Sequence, residues 1–195
     1  MAKDVPDDIS ELLAKLPPIG TTSGLPSMPM HVLNRAGTML RLAKLGLEDM
    51  SVGSQDRAIL GLFSVAVFGR AVTSALQNLR TFDRKAFDDW YAPWLSEMND
   101  DPLCRYFYKL RSDVLKGISP MIGYGLASFG PGTPAVGTLN VINRPSPTVH
   151  RGQPIKNADV RHLCELYVTY LEEMVTSAAS VINAVQDGWK FPGMV

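Results

Sequence analysis

The stretch "NADVRHLCELYVTYLEEMVTSAASVINAVQ", residues 157–186, decides the fold class. Leu163, Tyr167, Tyr170, Leu171, Met174, Ala178, Val181 and Val185 recur at spacings of three and four. That is the period of one face of an α-helix. No Gly or Pro interrupts the run, and Asn157 is placed to cap it. About thirty residues at ~1.5 Å each give a rod of roughly 45 Å. Such a rod is longer than a small bundle needs, which leaves its far end free to pack on a second copy.

Working back from this helix, residues 117–155 differ in kind. "GISPMIGYGLASFGPGTPAVGTLNVINRPSPTVHRGQPI" is rich in Gly and Pro and has little helical period. A long irregular segment inside a compact domain is usually functional or mobile. Within it "GTLNVIN" and "TVHRGQPI" can pair as a short β-hairpin across "RPSP", with Pro limiting the pairing to edges.

Four more helices are expected upstream, three of them before residue 100. The first spans about 29–45, with Gly46 as its stop. The second spans about 55–80, with Ser54 as its cap. Its apolar face (Leu60, Phe63, Val67, Ala71, Leu76, Leu79) is broadened by Ile59, Leu62, Ala66 and Val72, which suits a central helix. Arg70 lies in its middle and needs a partner or water. The third runs from an Asp83 cap to about 99, with Pro93 inside it and an aromatic stripe at Phe87, Tyr91 and Trp94. Residues 1–28 form an N-terminal arm broken by "PPIGTTSGLPSMP". The expected class is therefore all-α: an antiparallel helical bundle at 29–195, with the long insertion preceding a long C-terminal helix. Trp189 or Phe191 can fold back as an anchor after that helix.

Bulk properties narrow the function. The chain has 195 residues with 19 basic and 19 acidic side chains, so a strongly basic nucleic-acid footprint is absent. Zero net charge favours self-association over repulsion. Cys104 and Cys164 lack any CxxC or CxxH spacing and are read as buried thiols. No cofactor or metal is implied. No apolar h-region opens the chain and no apolar run approaches the length of a membrane span, so a cytoplasmic protein without a membrane partner is expected.

Between the third helix and the insertion lies "DPLCRYFYKLRSDVLKG", residues 101–117. Asp101 caps it, Pro102 takes the first helical position, Leu103, Phe107, Leu110 and Val114 form the buried line, and Gly117 ends it. The stretch resembles the HEPN superfamily of helical-bundle proteins. Active members carry Arg, a polar residue, three more residues and His near a helix end. Arg111 stands at the Arg, Ser112 at the polar residue and Lys116 at the His. The resemblance implies a homodimer in which two such pairs meet and cleave RNA without metal. It also implies roles in stress or phage defence.

Lysine at the decisive position changes the chemistry. Histidine titrates near ~6.5 and lysine near ~10.4. A general base works best with a pKa near the working pH. An exposed lysine at a helix C-terminus keeps its charge. The favoured expectation is thus a non-catalytic HEPN-like interaction module, a homodimer that can also take a protein partner. The alternative is a metal-independent endoribonuclease in which Arg111 holds phosphate and Lys116, or His150 from the insertion, moves the proton. RNA contact is the less favoured partnership, resting on the interleaved "RYFYKLR".

Overall fold

A computed structural model describes residues 28–51, 54–117, 122–127, 136–141, 144–157 and 159–188. The expected arm, apart from Met28, and the anchor residues Trp189 and Phe191 fall outside these. The fold is all-α. Its helices are α1 (Met28–Asp49), α2 (Gln55–Leu76), α3 (Arg84–Asp100), α4 (Pro102–Leu115) and α5 (Val160–Gly188). A 3-10 segment, Gln77–Thr81, extends α2. Strands β1 (Ile122–Ala127), β2 (Val136–Val141), β3 (Val149–His150) and β4 (Gln153–Pro154) lie between α4 and α5.

One apolar core joins the five helices. Leu62, Val65, Ala66, Val72 and Leu76 of α2 are buried with Leu103, Phe107 and Leu110 of α4 and with Leu163, Tyr167, Leu171 and Met174 of α5. Phe107 stacks on Tyr167 with ring centroids 4.3 Å apart. Polar ties hold α5 at its flanks: Trp90 Nε1 donates to Ser177 Oγ at 3.0 Å, and Lys44 Nζ meets Glu172 Oε1 at 2.7 Å. Both cysteines are free and buried, and burial pushes both thiols up.

Several expectations are corrected. Gly46 does not stop α1; it lies within the helix, against α2. A Cβ there would sit 2.6 Å from Ser64 Cβ, and one on Gly61 would sit 2.3 Å from the Gly46 carbonyl oxygen. The two glycines let the backbones of α1 and α2 touch, a close-crossing role rather than a cap. Ser54 holds the N-cap position of α2 but makes no side-chain cap bond. Asn157 does not cap α5. Its Oδ1 accepts from the Asp159 N–H, and Asp159 Oδ1 accepts from Arg161 N, so Asp159 is the cap. Val114 is only half-buried.

The hairpin is also re-paired. β2 runs antiparallel to β1, with Ile122 opposite Val141 and Ala127 opposite Val136. β3 folds back on β4 alone. Arg151 and Gly152 both take positive φ, 50° and 72°, and form the two-residue turn that closes β3 on β4. "TVHRGQPI" therefore turns on itself, and "GTLNV" is left to the strand before it.

The broad apolar face expected for α2 is covered on one side only. Leu60 is 61% exposed, and Ile59, Phe63 and Val67 are half-buried. By length and composition the stretch Gln55–Thr81 is apolar enough to cross a membrane, contrary to the reading of the sequence. Half of its most apolar window is buried inside the bundle, as in the core helix of a packed domain.

Candidate functional site

The three residues singled out from the sequence do not gather within the chain. Arg111 is half-buried on the last turns of α4. Lys116 is the exposed C-cap, its backbone N–H donating to the Ser112 and Asp113 carbonyls. Five residues along a helix turn the direction by roughly 140°, so Arg111 and Lys116 leave α4 on different sides. His150 lies at the other end of the helix, bonded through Nδ1 to Asp101 Oδ2 at 3.1 Å. The ten residues from Asp101 to Arg111 span ~15 Å of helix.

Asp101 organises that N-terminal end. Its Oδ1 accepts from the Leu103 and Cys104 N–H groups at 2.9 and 3.0 Å, which caps α4. Its Oδ2 accepts from the Arg151 N–H at 2.7 Å as well as facing His150. The side chain is 4% exposed. Burial alone would push this carboxyl up, but the N–H groups of Arg151 and Cys104 and the His150 ring outweigh it, and it is held below the usual range. Arg151 carries the cluster further: Nε meets Glu97 Oε1 at 2.6 Å, a terminal nitrogen meets Glu173 Oε2 at 2.5 Å, and the guanidinium lies over the Tyr170 ring at 4.9 Å. The edge of the His150 ring packs on Tyr170. His150 is thus engaged in fastening β3–β4 to α3, α4 and α5. The sequence marked Asp101 as a cap and placed His150 beside Arg151, but nothing in either segment announced that they meet. The Arg-Gly pair was the available signal, since it pins the turn that brings them there.

At the Arg111 end, the carboxylates that could have neutralised it from α3 are engaged elsewhere. Asp83 accepts from Ala86 N as the α3 cap, Asp88 pairs with Arg80 and Arg84, and Asp89 pairs with Lys85. Asp113, two residues on, pairs with Arg144 from the segment after β2, and that guanidinium lies 5.9 Å from the Tyr106 ring centroid. Among the described residues no carboxylate pairs with Arg111.

Helical register relates Arg111 to the partly exposed side of α2. The Arg70 guanidinium of α2 sits 5.9 Å from the Tyr108 ring of α4, while Gln77 and Arg105 line one cleft. The two helices therefore run antiparallel. Equal rise then sets Val67 level with Arg111, and Phe63 level with Leu115, which is 57% exposed. Leu60, Phe63 and Val67, at i, i+3 and i+7, share one stripe of α2. The partly exposed stripe of α2 and the Arg111–Leu115 end of α4 therefore lie at the same level of the bundle.

Comparison with family models, with curated proteins and with solved structures finds no match for this chain.

Proposed function

We propose that the protein is a non-catalytic, HEPN-like helical interaction module that acts in the cytoplasm as a homodimer. The observation that carries this is the partly uncovered apolar stripe Leu60–Phe63–Val67 of α2, with the exposed Leu115 of α4 level with it. Isolated surface leucines need no explanation, but an apolar stripe on two adjoining helices marks an interaction site. A two-fold axis through this face would stack each stripe on its own copy. Zero net charge adds no repulsion to that approach. The lysine at the position where active HEPN proteins carry histidine, with His150 tied to Asp101, supports the non-catalytic half of the reading.

Light scattering after size exclusion tests it. The chain should run as a dimer at micromolar concentration, and Leu60→Glu combined with Leu115→Glu should convert it to a monomer with unchanged helix content. A strict monomer for the unaltered chain overturns the reading. The competing ribonuclease reading requires cleavage of labelled RNA that Arg111→Ala abolishes.

A further inference from the structure

A second feature lies on the other side of Tyr108 from that face. Helices α2, α3 and α4 enclose a cleft of 320 Å³. Helical spacing puts each set on one wall: Arg70 and Thr73 of α2 and Gln77, first residue of the 3-10 extension, are at i, i+3 and i+7, and Arg105 and Tyr108 are at i and i+3 on α4. The lining contains two guanidinium groups and no carboxylate. Among the described residues Arg70 and Arg105, like Arg35, Arg41 and Arg111, form no ion pair, whereas Arg57, Arg80, Arg84, Arg144, Arg151 and Arg161 do.

Arg70 is held in place. Its guanidinium donates to Thr73 Oγ1 at 2.5 Å, and that buried hydroxyl donates in turn to the Arg70 carbonyl at 2.9 Å. Its other face lies by the Tyr108 ring, which is 59% exposed. The Gln77 amide donates to Tyr91 Oη at 3.1 Å, leaving its carbonyl free to accept. A positioned arginine on a half-buried wall without a counter-charge is costly unless an anion completes it.

We infer that this cleft binds a small phosphate monoester carrying a planar ring, with Arg70 and Arg105 on the phosphate and Tyr108 stacked on the ring. Two unpaired cations match a dianion, and the planar fork of arginine matches phosphate oxygens in pairs. The exposed phenol ring offers a stacking platform at the mouth. The volume is at the lower end of the ~300–1,000 Å³ typical of ligand clefts, which suits a mononucleotide-sized molecule.

Calorimetric titration with adenosine 5′-monophosphate, adenosine and inorganic phosphate tests this on the intact chain. The monophosphate should bind, and adenosine should bind at least about tenfold more weakly, since a charged hydrogen bond is worth ~1.5–3 kcal/mol. Arg70→Gln and Arg105→Gln should each weaken the monophosphate by about tenfold or more. Tyr108→Ala should weaken the monophosphate and leave inorganic phosphate unchanged. Arg105 is exposed, so its variant keeps the test open if Arg70→Gln fails to fold. No heat from the monophosphate at millimolar concentration overturns the proposal. So does equal affinity for adenosine, or affinity that both arginine variants retain. An RNA oligonucleotide that binds but is not displaced by the monophosphate also overturns it.

Discussion

Asp101 shows how one side chain can serve two scales of structure. It closes the first turn of α4 and, with its second oxygen, receives the Arg151 N–H from fifty residues away. Removing it leaves a part-buried N–H and a helix end unpartnered. Asp101→Ala should lower stability by about 2.5–4 kcal/mol, adding the loss of a cap (~1) to that of charged hydrogen bonds (~1.5–3). Urea unfolding monitored by circular dichroism checks this. Because the folded carboxyl is held below its unfolded value of ~3.9, its contribution is complete above that pH. It is lost as pH falls through the lower, folded value. The unaltered chain should therefore lose stability on acidification below about pH 4 more steeply than Asp101→Ala does. The cap was legible in "NDDP" because capping is local. The second set of bonds was not, because no local pattern encodes which oxygen a distant turn will reach.

Among the elements, α1 and α2 depend on a contact that few residues permit. Gly61→Ala would press a methyl group against the Gly46 carbonyl, so α1 and α2 would have to part. The expected loss is about 1–3 kcal/mol, even though alanine is the better helix former. Gly37→Ala is the control within the same pair of helices. Nothing lies within 4 Å of its added Cβ, so this substitution should stabilise by about 0.5–1 kcal/mol. Opposite shifts in thermal midpoint check the pair. The helices themselves were readable from periodicity, and Asp83, Asp101 and Gly117 marked their ends correctly. Gly46 was not readable as a crossing point, since a stop and a close approach ask for the same residue. A hairpin in the insertion was readable but its partners were not, because "IGYGLA" has too many glycines to show a strand's alternation, and because prolines beside the Arg-Gly turn signal turns of their own.

For the whole molecule, the chain without net charge and the apolar stripe together predict how association responds to salt. An interface built from Leu60, Phe63, Val67 and Leu115 should dissociate no more readily at ~1 M salt than at ~0.1 M, where the Debye length falls from about 10 to 3 Å. Sedimentation equilibrium at the two concentrations checks this, and salt-driven dissociation would point to a charged interface instead. Arg111, Lys116 and His150 were each legible as chemistry-bearing residues in the sequence, and helical spacing alone parts the first two, but the place of His150 was not legible, because the fold of the insertion decides where it lands. The turn at Arg151 also bears on the order of events during folding. Its partners are Glu97 near the end of α3, Asp101 at the α3–α4 junction and Glu173 of α5, so it can lock only after α5 has met that junction. Closing so long a loop is a late step. The Arg151 amide proton should then exchange with solvent only through global opening, as slowly as those of the core helices, although the residue lies in a surface turn. Native-state hydrogen exchange would reveal it as a reporter of the completed assembly, and fast exchange there would show that the turn opens on its own.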